Sequence, residues 1–203
     1  NKMKIYQYKD YNEYKQAQVD ANVKKLKNVW VEESTIYQIK NFKTDATQIL
    51  CHGVRNGKEL EFFKKYYPSS QIIGTEISHT AKQFKNVVEW DFHNEKEEWK
   101  NKFDIVYSNS WDHSYDPTKS LSAWKDQLTN SGHIFLEHAY EPNHNEATII
   151  DPLEIYHEEI KKLSEELGLI YVDTLSVHAT EVRYKSRKTV DRYKSRVYIF
   201  GKK

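Results

Sequence analysis

The chain has 203 residues, of which 38% are apolar, 14% aromatic and 30% charged, with a formal net charge of +1. That length holds one good core, the near-zero charge gives no overall field toward nucleic acid or membrane, and the single Cys51 excludes an internal disulfide and a multi-cysteine zinc site. No apolar run approaches the ~18 residues of a membrane span, so a cytoplasmic setting is expected, with Met3 as the natural start and no signal peptide ahead of the first helix.

In chain order, residues 11–27 and Glu33–Phe42 read as helices. They form an expected flank or lid over residues 1–45, ahead of a core at 46–203 within one domain. From Gln48 the pattern alternates strand and helix, as in a parallel sheet covered on both faces. Gln48–His52 is an apolar strand. Residues 58–67 form a helix with Leu60, Phe63 and Tyr67 on one side, closed by Pro68. Strands follow at 71–77 and 86–90, with a short helix near 80–85 between them, and then at Phe103–Ser108. A helix at 116–128 carries Leu121, Trp124 and Leu128 at helical spacing, and a fifth strand occupies 132–138. Residues 151–167 read as one amphipathic helix, with Asp151 as its cap, Pro152 at its first position and Gly168 ending it. Strands at 169–175 and 196–200 close the chain. The count implies seven strands, with the last inserted antiparallel.

The first strand runs into a glycine turn, "ILCHGVRNGKE" at residues 49–59. Gly53 and Gly57 permit a tight turn and close approach of a ligand to a helix N-terminus, although plain strand-to-helix turns share the G-x-x-x-G pattern. Glu76 ends the second strand 23 residues after Gly53, near the ~20 expected of a carboxylate that grips a ribose. A solvated strand-end glutamate would look the same. Ile77 beside it suits packing on an adenine. A diphosphate loop wants G-x-G-x-x-G; here Arg55 takes the middle glycine's place and Leu60 the third's.

These segments, with "IIGTEIS", "VVEWDF", "FDIVYSNSWDHSYDP" and "GHIFLEH" in that order, resemble the class I S-adenosylmethionine-dependent methyltransferases of the methyltransferase domain 11-like group. The resemblance spans residues 49–138, somewhat under half the chain. It implies an α/β, doubly wound Rossmann-like sheet of seven strands, mostly parallel with the last strand antiparallel, and helices on both faces. It also implies S-adenosyl-L-methionine as cofactor and methyl transfer to an oxygen or nitrogen of a small polar acceptor such as a sugar. Asp91 would then accept from the adenine amino group, with Phe92 beside it. S-adenosylmethionine has no phosphate but carries a carboxylate that a guanidinium can hold by two parallel bonds; Arg55 is the expected partner, and a loop brace from Arg55 to Glu59 or Glu76 is the alternative. Relatives commonly carry an acid where Cys51 stands, so Asn109 or Ser110 is expected to take the cofactor's ammonium.

Methyl transfer from a sulfonium depends mainly on alignment, with a base added for an oxygen acceptor. His138 and His113, and after them Asp112, are the base candidates at the carboxyl ends of the strands. Trp111 would stack on the adenine, wall the acceptor pocket or fill the core. Residues 109–112 read N-S-W-D rather than the D/N-P-P-Y of amino-group methylation. Asp112, Asp116 and Glu137 lack a spacing that argues for a metal, and the nine histidines split between strand faces, so no metal is expected. Residues 183–196, "RYKSRKTVDRYKSR", hold seven basic residues against one acid. They form a solvated face or track a phosphate backbone. Two alternatives therefore stand beside the small acceptor: an RNA methyltransferase, and a non-catalytic adenosyl-binding protein.

Overall fold

The computed structural model describes residues 2–139, 146–178 and 193–203. Its elements are β1 (Lys4–Ile5), α1 (Tyr11–Lys24), α2 (Glu33–Phe42), β2 (Gln48–His52), α3 (Lys58–Tyr66), β3 (Gln71–Glu76), β4 (Val87–Glu89), β5 (Phe103–Ser108), α4 (Pro117–Gln127), β6 (Leu128–Ala139), β7 (Leu153–Glu154), α5 (His157–Glu166), β8 (Leu169–His178) and β9 (Tyr193–Lys202). The main sheet has the order β4-β3-β2-β5-β6-β9-β8. β2 through β6 pair in parallel, and β9 enters antiparallel between β6 and β8.

Alternation along the central strands sends side chains to two cores. Leu50, Val106, Ile134 and Leu136 pack with Trp111, Leu121, Trp124 and Ile160 on one face. Ile49, Cys51, Ile105, Tyr107 and Phe135 pack with Ile36, Ile39, Leu60 and Phe63 on the other. Burial on both faces explains the unbroken apolar runs of these strands. Each fully buried phenylalanine such as Phe63 contributes on the order of 3 kcal/mol.

The chain steps outward from β2 to β3 and β4, then returns to place β5 on the other side of β2. That reversal opens a crevice at the carboxyl ends of β2 and β5, where open α/β sheets take ligands. α1 lies near this rim with an unusual buried face. Tyr14, Gln18 and Asn22 recur at helical spacing, and their polar tips bond to the His113 carbonyl (2.8 Å), the Ile150 carbonyl (2.8 Å) and Thr80 Oγ1 (2.7 Å).

The helix expected at 151–167 is shorter than the sequence implies. Residues 153–154 are extended and pair antiparallel with β1, the Tyr6 amide donates to the Pro152 carbonyl (2.8 Å), and α5 begins only at His157. Leu153 and Ile155 are buried, so the N-terminal strand supplies a pairing that local periodicity does not reveal. Gly168, in the left-handed region at φ 81°, follows α5 as expected. The helix expected near 80–85 is a single 3-10 turn at His79–Gln83. Leu128 opens β6 instead of ending α4, because it pairs with Phe103.

Candidate functional site

Gly53, Arg55 and Gly57 all have positive φ (67°, 52° and 78°), so the turn between β2 and α3 curls left-handed at three positions. A Cβ on Gly53 would lie 2.7 Å from Ser110 Cβ, which enforces glycine there. The amides inside the curl point at β3. Gly53 N donates to Thr75 Oγ1 (3.3 Å), Val54 N to the Thr75 carbonyl (2.9 Å) and Arg55 N to Glu76 Oε1 (2.9 Å). Gly57 N is used by the Val54 carbonyl (2.8 Å) and Lys58 N by Asn56 Oδ1 (3.2 Å). A diphosphate site needs such donors turned outward. Here they are consumed.

Glu76 is buried, and its second oxygen accepts from Ser78 N (3.1 Å). Burial raises its pKa against the pull of the two amides. Each carboxylate oxygen keeps a further lone pair, so the group can still receive hydroxyl donors. Ile77, half-buried, follows it at the strand end. Beneath the turn lies a residue the sequence did not single out. His52 stacks on Trp124 at 4.9 Å between ring centres and bonds Thr75 Oγ1 (2.9 Å) and Gln127 Oε1 (2.8 Å). Burial lowers its pKa to about 4, so it is neutral scaffolding for the loop.

The Arg55 guanidinium donates to the Asn28 carbonyl (3.3 Å), and Asn56 Nδ2 reaches the Leu26 and Asn28 carbonyls (3.0 and 3.1 Å). The turn is thereby fastened to the segment after α1. Among the described residues Arg55 makes no ion pair, so neither brace expected from its guanidinium, to Glu59 or to Glu76, forms; the backbone amide makes the Glu76 link instead. Across the crevice, Ser110 Oγ donates to the Gly53 carbonyl (2.8 Å) and Asn109 Nδ2 approaches Glu59 Oε1 (3.4 Å). Glu59 is buried in the first turn of α3, and its Oε2 has no hydrogen-bond partner. Desolvation pushes its pKa up to about 8.

Asp91 is placed at the rim with its carboxylate engaged. Oδ1 bonds His93 N (2.9 Å) and Nδ1 (2.6 Å), and Oδ2 accepts from the Tyr11 hydroxyl of α1 (2.8 Å). His93 passes the chain on to Ser114 Oγ (2.8 Å). Phe92 and Trp111 pack into the core. Phe92 packs edge-on to Trp124 at 5.3 Å, and Trp111 is fully buried with its Nε1 bonded to Ser120 Oγ (3.0 Å). Trp111, with no exposed surface, cannot stack on an incoming adenine, whereas the Phe92 ring edge would lie 3.6 Å from a Cβ on Gly53 and so borders the turn.

His113 is the hub of the reacting end. Its Nδ1 bonds the Ile150 carbonyl (2.9 Å) and lies 3.3 Å from Asp151 Oδ1, while Nε2 lies 3.8 Å from Asp112 Oδ1. Burial alone would lower its pKa, but the two carboxylates outweigh burial and raise it. Asp112 is pushed up to about 6, chiefly by desolvation. Ligand atoms of Asp112, His113 and Asp151 lie within 4.8 Å of one another, a grouping that could meet a cation; with Nδ1 donating to the Ile150 carbonyl, Nε2 is the ring nitrogen left with a lone pair. His138 is buried, with Nε2 at the Ile155 carbonyl (3.3 Å) and its ring edge-on to Trp111. Glu137, on the opposite face of β6, accepts from the Tyr107 and Ser195 hydroxyls (2.9 and 2.8 Å). Glu137 therefore lies on the other side of the sheet from His138. Most of the basic stretch 183–196, together with His144, lies outside the described residues.

No helix among the described residues is long and apolar enough to cross a membrane. No protein-family profile and no curated protein sequence matches the chain. Solved structures do share its architecture. The 1,6-didemethyltoxoflavin-N1-methyltransferase of Burkholderia thailandensis, solved with 1,6-didemethyltoxoflavin and S-adenosylhomocysteine, superposes with a TM-score of 0.72 at 13% identity, covering 97% of this chain and 92% of its own. A TehB-like S-adenosylmethionine-dependent methyltransferase of Corynebacterium glutamicum gives 0.60 at 15% identity, covering 95% and 98%. The [4+2]-cyclase SpnF gives 0.66 at 11%, covering 92% and 93%. Strand order, the antiparallel insertion of β9 and these superpositions together establish that the chain has the class I S-adenosylmethionine-dependent methyltransferase fold.

Proposed function

We propose that the protein is an S-adenosylmethionine-dependent methyltransferase acting on an oxygen or nitrogen of a small polar acceptor. One observation carries the choice of cofactor: the glycine turn spends its amides on Thr75 and Glu76. What faces the crevice is carboxylate, from Glu76, Asp91 and Asp112, and that repels a diphosphate and suits a ligand bearing sulfonium and ammonium charge. Glu76 would take the ribose hydroxyls, and Arg55, with donors beyond the one given to Asn28, the amino-acid carboxylate. Asp91 would take the adenine amino group in place of the Tyr11 hydroxyl, which offers the same kind of donor.

The cofactor supplies an activated methyl group; the protein supplies alignment and, for an oxygen acceptor, a proton acceptor. Asp112 is the group best suited to that last role. Its pKa of about 6 leaves it ionised yet basic at neutral pH, it is partly exposed, and the His113 imidazole 3.8 Å away can stabilise its charge when protonated. The carboxylates of Asp112 and Asp151 favour the protonated form of His113, and His138 is engaged at Ile155, so both rank behind it. A small acceptor is supported by α1, whose Tyr11 and Tyr14 fasten it over the rim beside Tyr115.

A second reading stems from SpnF, a cyclase on the same fold, because fold alone does not determine chemistry. Calorimetry with S-adenosylhomocysteine and with NAD tests the cofactor. Binding of the first and not the second is expected, and the reverse would overturn the proposal. Slow release of S-adenosylhomocysteine from S-adenosylmethionine in the presence of candidate acceptors would then separate a transferase from a cyclase or a binding protein.

A further inference from the structure

We propose that Glu59 is the binding residue for the α-ammonium of the adenosyl amino acid, and that it gives up a proton when that ammonium arrives. The inference rests on the cofactor reading above.

Glu59 is only 6% exposed, and its Oε2 lacks a hydrogen-bond partner. A buried carboxyl oxygen without a donor is costly. Its fellow oxygen faces Asn109, the residue that follows β5 at the rim of the crevice. Cys51 beside it is a buried thiol whose pKa is pushed up, first by burial and then by Glu59 itself, so the strand wall brings no charge of its own.

The charged and titratable groups facing Glu59 leave one kind of ligand to complete the site. Arg55 from the turn lowers its pKa and Glu137 from β6 raises it; Tyr107 from β5 and Cys51 from β2 are neutral neighbours, and Asn109 donates. Arg55 and Glu59 sense one another without forming an ion pair. A zwitterion set between them would give its carboxylate to the guanidinium and its ammonium to Glu59, satisfying both at once. Without that ligand, desolvation holds the carboxyl protonated at neutral pH. An incoming ammonium favours the ionised form, so one proton leaves as the ligand binds.

The test is calorimetry at pH 7 in buffers of differing ionisation enthalpy, using S-adenosylhomocysteine and 5′-methylthioadenosine, which has the nucleoside and thioether but no amino acid. For the wild-type protein, S-adenosylhomocysteine should release about one proton and methylthioadenosine none. Glu59→Gln should weaken S-adenosylhomocysteine about tenfold or more, abolish its proton release and leave methylthioadenosine affinity unchanged. If Glu59→Gln binds S-adenosylhomocysteine as tightly as wild type, or loses both ligands alike while folded, the assignment is wrong. The wild-type proton count stands without any variant, and equal release by the two ligands would overturn the proposal on its own. Failure of wild type to bind either nucleoside would instead overturn the cofactor reading itself.

Discussion

The backbone amide of Arg55 donates to the Glu76 carboxylate at 2.9 Å, so the acid at the end of β3 also sets the shape of the turn that follows β2. Glu76 holds two amides, of Arg55 and Ser78, with its two oxygens. Glutamine in its place keeps one acceptor and aims an NH2 at the other amide. Glu76→Gln should therefore cost about 1–3 kcal/mol, as an unsatisfied buried donor does, and weaken S-adenosylhomocysteine about tenfold or more. Urea unfolding and calorimetry on the same variant check both effects. Full affinity in a destabilised variant would show Glu76 to be a loop brace alone.

Gly53 carries two separable demands. Its φ of 67° costs a side-chain-bearing residue about 1–2 kcal/mol, and a Cβ would meet Ser110 Cβ at 2.7 Å. Gly53→Ala should lower the melting temperature by several degrees. Adding Ser110→Gly should restore the steric part and leave the backbone part. A double-mutant cycle without coupling between these two positions would refute the contact.

Much of this site could be read from the sequence because it is local. The turn, the strand before it and the helix after it are contiguous, and Glu76 lies at a spacing fixed by one helical crossover. The residues that eluded sequence reasoning are held by partners far along the chain. Pro152 and Leu153 look helical until β1 pairs with them, and His52 looks like a strand-end polar residue until Trp124 and Gln127 close over it. Trp111 shows a different limit. An aromatic ring at a strand's carboxyl end has the same signature whether it stacks on a ligand or fills the core, and only burial distinguishes the two. Glu59 stood in the quoted motif, but an acid in a helix's first turn is ordinarily explained by the helix dipole.

The same burial makes Glu59 a stability sensor. Its folded pKa of about 8 stands above the model-peptide value near 4.5. A carboxyl raised in this way favours the folded state fully below the unfolded pKa and loses that advantage as pH climbs toward 8. At pH 7 the cost relative to a neutral side chain is about 3 kcal/mol by linkage. Glu59→Gln should thus be more heat-stable than wild type at pH 8, by several degrees, with the difference shrinking toward pH 5. Thermal melts across that range check the sign, and a gap that widens toward acid would contradict it.

His113 shifts stability in the same direction, but from a different cause. Burial lowers its pKa, the carboxylates of Asp112 and Asp151 raise it, and the carboxylates prevail. A histidine raised in the folded state contributes stability that is complete below its unfolded pKa, ~6.5, and is lost as pH rises through the folded value. Asp151 lies 3.3 Å from Nδ1 and belongs to the segment that leads into β7, so this pair fastens that segment to the rim after β5. Asp151→Asn should lower the His113 pKa, read directly from its imidazole resonances by NMR. It should also cost about 1 kcal/mol at pH 6, the scale of a partly exposed ion pair, and less as pH rises through the folded pKa of His113. A cost independent of pH would mean that the Ile150 carbonyl, 2.9 Å from the same nitrogen, holds the segment without help from charge.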